Sequence, residues 1–142
     1  MPVKFEFDAP EKAYEDFITI WVNQLADNNF EKAYEDILHD EYYGLSPALI
    51  ESVINGYGLE YEQGNKKFEV TKTFHALGEG SSFDVMWYDP ETVTHFIEGQ
   101  RRLAEIWYQL PLNNEWSDLT VTFDIIMYPE GLYLMLKEIH VF

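Results

Sequence analysis

Four histidines, His39, His75, His95 and His140, are the first side chains to weigh for chemistry, and none has a second histidine one helical turn away to share a metal. The run His39-Asp40-Glu41 has divalent-ion ligand types but reads as the polar end of a helix. With no cysteine in the chain, thiolate metal sites, disulfides and a cysteine nucleophile are excluded. The stretch Gly78-Glu79-Gly80-Ser81-Ser82 carries two glycines, but it has an acid between them and no Lys-Ser/Thr after it, so it reads as a hairpin and not a phosphate loop. No Gly-x-Ser-x-Gly elbow occurs. One acid–histidine constellation emerges when the last strands are paired: Glu105, Thr122 and His140 fall together on the polar side of a sheet. There Glu105 could orient the His140 imidazole as a proton acceptor, or the three could form a plain surface ladder. No catalytic residue, metal site or cofactor is assigned from these patterns.

The elements that would position these residues divide the chain in two. Asp8-Ala9-Pro10-Glu11 reads as a helix start with Asp8 as cap. Tyr14, Phe17, Ile18, Trp21, Val22 and Leu25 then form an apolar stripe at helical spacing. Asp27-Asn28-Asn29 breaks that helix, and Phe30, Ala33, Tyr34, Ile37 and Leu38 repeat the spacing. Ser46-Pro47 opens a third helix through Leu49, Ile50, Val53 and Ile54, ended by Gly56 and Gly58. The hexapeptide Glu-Lys-Ala-Tyr-Glu-Asp occurs at 11–16 and 31–36 and reads as two similar helix openings.

After Gly64 the pattern turns to strands. Lys67–His75, Ser82–Tyr88, Arg101–Leu112, Ser117–Tyr128 and Leu132–Phe142 are rich in Phe, Val, Thr, Ile and Trp. No helix separates the last three, so they are expected to be antiparallel neighbours. A two-residue turn at Asn113-Asn114 puts Tyr108 opposite Leu119, Ile106 opposite Val121 and Ala104 opposite Phe123. A second turn with Glu130-Gly131 at its tip pairs Met127 with Leu134 and Ile125 with Leu136. Continued straight, this ladder would set Glu138 against Phe123 in the core, so a β-bulge is expected at Lys137-Glu138, bringing Ile139 to Phe123. Trp107 then lies on the outer, polar face, with Tyr128 and Tyr133 paired across the second turn. These three aromatics are the expected interface of a homodimer formed through the sheet.

Composition narrows the partners. The 142 residues carry 26 acids and 9 bases, a formal charge of −17. Such a chain repels phosphate backbones, and Lys66-Lys67 and Arg101-Arg102 are its only basic clusters, so no nucleic-acid partner is expected. Hydrophobic residues make up 46% and aromatics 17%, too much for a disordered acidic tail. No apolar run approaches the ~18 residues that cross a bilayer, and the opening Met1–Glu6 lacks a secretory apolar segment. No membrane association and a cytoplasmic location are the expectations. The acidity admits a basic protein partner, and the aromatic stripes admit a small apolar ligand.

Helices followed by an antiparallel sheet, with Phe17–Asn29 opening the long first helix and hairpins over Glu105–Phe142, resemble the nuclear transport factor 2-like superfamily, the cystatin-like cone fold. The ending Glu115-Trp116-Ser117-Asp118-Leu119-Thr120-Val121 with Glu138-Ile139-His140-Val141 is similar to small uncharacterised bacterial members. The resemblance implies an α+β cone, a single domain of about three N-terminal helices on a curved antiparallel sheet, that dimerises through the sheet. The superfamily holds isomerases, dehydratases, transport adaptors and toxin-immunity proteins, so the fold alone selects no activity. Tyr34, Tyr108, Asp118 and Asp124 are residue types that its isomerases use, but they do not align to that pattern. The expectation is therefore a non-enzymatic binding or interaction module. A toxin-neutralising immunity protein and a cone-pocket enzyme or carrier are the alternatives.

Overall fold

A helix whose apolar residues recur at three- and four-residue steps must bury that face, and here the burial decides the layer order. The computed structural model describes residues 1–57, 68–77, 83–89 and 101–141. Helix α1 (Glu11–Ala26) buries Tyr14, Ile18, Trp21, Val22 and Leu25, as its stripe predicts. Two further helices follow, α2 (Phe30–Glu35) and α3 (Pro47–Asn55). The strands β1 (Leu38–His39), β2 (Phe83–Trp87), β3 (Arg101–Leu112), β4 (Glu115–Tyr128) and β5 (Gly131–Val141) form one sheet in the order β1-β5-β4-β3-β2. The fold is α+β. All neighbours are antiparallel except β1, which runs parallel to β5.

The inner face of the sheet meets the helices. Trp21 packs edge-on against Phe123, ring centroids 5.3 Å apart, and its indole N–H donates to the Ala33 carbonyl at 2.9 Å. Tyr14, Ile18, Phe123 and Ile125 are fully buried around this contact.

Several local expectations change. The α1 cap position is Pro10, without a side-chain cap bond, so Asp8 does not cap it. Ser46 does cap α3, accepting from the Leu49 N–H at 3.1 Å. The second helix stops at Glu35. Asp36, held by Lys32 and Gln24, ends it, and Leu38–His39 become a strand beside Met135 and Leu136. Lys67–His75 is not a strand where it is described. The Asn23 side chain accepts the Thr73 N–H at 3.0 Å and Lys72 reaches Asp27 at 2.6 Å. These contacts draw the segment onto the end of α1 as a short 3-10 turn, Thr73–His75, with Val70 and Leu77 making single bridges to Leu112 and Glu115. Gly58, Lys66-Lys67, the hairpin expected over 78–82 and His95 lie outside the described residues.

The two-residue turn at Asn113-Asn114 forms, with both asparagines at positive φ (48° and 70°) as this hairpin requires. Leu112 pairs with Glu115 and Pro111 with Trp116, but the register then shifts by two. Tyr108 faces Val121, Ile106 faces Phe123 and Ala104 faces Ile125. The Ser117 hydroxyl causes this: it donates to the Leu110 carbonyl at 2.6 Å and accepts from the Leu119 N–H at 3.2 Å, standing in for ladder bonds. A two-residue shift preserves which face each side chain takes.

The second hairpin turns at Pro129-Glu130, with Tyr128 opposite Gly131, one residue earlier than expected. The irregularity at Lys137-Glu138 is present: Phe123 pairs with Leu136 and Val121 with Ile139, leaving Thr122 against two residues. Ile139 thus reaches the core opposite Val121 instead of Phe123. No helix among the described residues is long and apolar enough to cross a membrane.

Candidate functional site

Alternation along β4 ought to leave every second residue wet, yet Leu119–Ile126 are buried without a break. The outer-face members are Thr120, Thr122, Asp124 and Ile126, and Asp124 is only 1% exposed. A carboxylate so buried must be paired. Arg102, from the start of β3, bonds Asp124 with one guanidinium nitrogen, while its other reaches Asp40 at 3.3 Å. Lys137, at the β5 bulge, bonds Glu105 and lies 3.5 Å from the second Asp124 oxygen. The Tyr88 hydroxyl bridges the pairs, 2.9 Å from Asp124 and 3.3 Å from Glu105. The Trp107 indole N–H donates to the other Glu105 oxygen.

The elements explain the meeting. Glu105 and Asp124 are directly paired across β3 and β4. The β5 bulge aims Lys137 at them. Asp40 follows β1, where its N–H is fixed to the Leu136 carbonyl at 3.0 Å, and Tyr88 continues β2, its N–H on the Leu103 carbonyl at 2.9 Å. The cluster therefore ties both ends of the sheet order to its centre.

Burial raises the Tyr88 phenol far above its ordinary value, and the negative Asp124 and Glu105 push it further. Burial alone would raise Glu105, but the hydrogen bonds from Lys137, Trp107 and Tyr88, with the Lys137 charge, outweigh it and hold the carboxyl below the usual range. Lys137 and Arg102 are likewise driven up against their own burial, Lys137 by Glu105 and Asp124, Arg102 by Asp124 and Asp40. Each of these four shifts moves its group away from neutral pH. A general acid or base needs the reverse.

Of the residues singled out by sequence, Glu105 is central to this cluster. Thr122 serves the bulge: its hydroxyl accepts the Glu138 N–H at 3.3 Å and faces the Glu138 carbonyl at 3.5 Å. His140 lies opposite Thr120, whose other neighbour is Gln109. The expected row of Glu105, Thr122 and His140 is thus corrected by register: Glu105 faces Asp124, and His140 sits further along the sheet. Trp107, Tyr128 and Tyr133 do share the outer face, and Tyr128 and Tyr133 meet edge-on at 5.5 Å. Trp107 is opposite Thr122, however, about 20 Å along β4 from Tyr128 at ~3.3 Å per residue. The charge cluster lies between them, so they do not form one continuous apolar patch. Tyr34 stacks on His39 with centroids 3.7 Å apart; Tyr108 points to the inner face and Asp124 to the outer; Asp118 accepts from Tyr57. These four are not brought together.

Arg102, Lys137, Asp40 and Tyr88 escaped the sequence reading. The two-residue register shift hid the pairing of Glu105 with Asp124, and Arg102 joins that face only through a second irregularity of β3, between Arg102 and Ala104, which sets it opposite the outer-face Ile126. Among the described residues, no group of three or more His, Asp or Glu side chains is arranged to hold a metal. In comparisons with family models, curated proteins and solved structures, nothing matches this chain.

Proposed function

We propose that the chain is a non-enzymatic interaction module whose acidic surface engages a basic protein partner. The observation that carries this is the fate of its cations. Arg102 and Lys137 are withdrawn into the outer-face cluster, where the two cations pair with three acids, Asp40, Glu105 and Asp124, and leave one negative charge in excess. Tyr88, Arg102, Glu105 and Lys137 are each moved away from neutral pH there. The outside is left with an uncompensated charge: among the described residues the exposed bases are Lys4, Lys12 and Lys32, while exposed acids run from Glu6 through Asp16, Asp27, Glu31, Glu35 and Asp84 to Glu130. Lys12 and Lys32 are themselves paired with Asp16 and Asp36. Such a field steers a positively charged protein and disfavours phosphate polymers.

Toxin neutralisation by an immunity-type protein is the biological form that suits this reading. The same reading takes the fold as a nuclear transport factor 2-like cone, supported by three helices preceding the antiparallel strands. The test is to isolate partners on the full chain, purify them, and titrate each by calorimetry at 50 and 500 mM NaCl. A basic protein whose binding weakens at least tenfold at high salt is the expected result. Partners that are acidic, or binding indifferent to salt, would overturn the proposal.

A further inference from the structure

The two edges of the sheet are treated differently. Along β5, Phe5 exchanges backbone hydrogen bonds with Leu132 at 2.7 and 2.9 Å, β1 covers Met135 and Leu136, and the Lys137-Glu138 bulge follows. These are the usual devices that prevent an edge from recruiting another strand. The opposite edge, β2, has none of them among the described residues. It is the regular five-residue run Phe83-Asp84-Val85-Met86-Trp87, with one charge, and Met86 and Trp87 are 50% and 53% exposed.

We infer that β2 is a self-association edge, on which a second copy of this chain adds its own β2 antiparallel, joining two sheets into one. The Tyr88 N–H bonds the Leu103 carbonyl, so the alternating backbone groups of Met86 and Asp84 also face β3. Those of Phe83, Val85 and Trp87 point away from β3, where no described residue pairs with them. A two-fold axis at Val85 pairs Val85 with its counterpart, and Phe83 with Trp87 of the other copy, through about six hydrogen bonds. The same register sets Asp84 opposite Met86, not opposite the other Asp84, so no like charges meet directly. Phe83, Val85 and Trp87 of both copies then share one face. Trp87 is already fixed there, its indole N–H donating to Glu11 at 2.8 Å. The strand is self-complementary in hydrogen bonding, side-chain face and charge, which favours a second copy over an unrelated peptide.

Sedimentation of the full chain between 5 and 100 μM, in 50 and 500 mM NaCl, tests this. A dimer is expected, and it tightens with salt because two copies of charge −17 repel; a basic partner responds in the opposite sense. Met86→Asp places like charges across the axis and weakens the dimer at least tenfold. Met86→Lys faces Asp84 of the other copy and retains or tightens it. Met86 lies half-exposed on the outer face, opposite Glu105 of its own β3; circular dichroism of both variants should still match the parent, and amide exchange at Val85 and Trp87 should slow with protein concentration. A monomer at 100 μM in 500 mM NaCl overturns the inference. So does a dimer that Met86→Asp leaves intact or Met86→Lys disrupts. Neither result touches the basic-partner proposal.

Discussion

Asp124 shows how one buried carboxylate can organise a face of the sheet. It is 1% exposed, and its oxygens are shared among Arg102, Lys137 and Tyr88. Removing one partner leaves its charge uncompensated, which costs more than the intact pair contributes. Arg102→Met should therefore destabilise the fold by about 3 kcal/mol in urea unfolding; a loss under ~1 kcal/mol would mean that water reaches the carboxylate. His39 supplies a separate titration. Its Nε2 is 2.6 Å from the Tyr34 carbonyl, which makes Nε2 the donor and Nδ1 the bare acceptor, and Nδ1 is buried without a partner. Burial lowers the His39 pKa below its ordinary 6.5, and the bond to Tyr34 only partly offsets this. The unfolded chain then binds the proton first, so the contribution of neutral His39 is complete above pH 6.5 and fades as pH falls below it. Glu105 and Asp36, held low, act in the same direction but in a more acidic window. Melting between pH 7.0 and 5.5 should show a decline that His39→Gln largely removes, while a steeper loss below pH 4.5 persists in both proteins.

At the scale of elements, hydroxyl side chains set the register. Ser117 and Thr122 each occupy an irregularity of β4 and supply bonds that the ladder cannot make there. Thr122→Val keeps the shape but strips the Glu138 N–H of its acceptor, with an expected cost of about 1–2 kcal/mol. Because the bulge aims Lys137, the same variant should also weaken the Lys137–Glu105 contact, visible as an upward shift of the Glu105 carboxyl by NMR titration. A neutral effect on both would show that the bulge is fixed by packing of Ile139 alone. The helices α1 and α3 were legible because apolar periodicity and the Ser46-Pro47 cap are local. So was the Lys137-Glu138 bulge, since a straight ladder sends a charge into the core. The register of β3 on β4 was not legible. It turns on Ser117 bonding back to Leu110, and nothing in the spacing of apolar residues records a shift that preserves face parity. The charge cluster was lost with it, as Glu105 was matched to the wrong row.

For the whole molecule, the balance lies between an outer-face cluster that draws in two cations to serve three acids and a surface that keeps further acids. The acid excess was plain in the composition, but its distribution was not, because burial of Arg102 and Lys137 depends on long-range pairing. This distribution sets the response to salt. Exposed acids on α1 and α2 repel one another more when the chain is compact than when it is extended. The ion pairs around Asp124, shielded from solvent, are screened far less than surface charges. Raising NaCl from 20 to 500 mM shortens the screening length from roughly 20 Å to about 4 Å, so it should relieve surface repulsion while leaving the cluster intact. The melting temperature at pH 7 should rise with NaCl in the parent protein. Replacing surface acids such as Glu31 and Glu35 by glutamine should raise stability at low salt and flatten that rise. A melting temperature that falls with salt would mean that exposed pairs such as Lys12–Asp16 and Lys72–Asp27 outweigh the repulsion. The acidic surface would then be a set of local ion pairs instead of the long-range field that draws a basic partner.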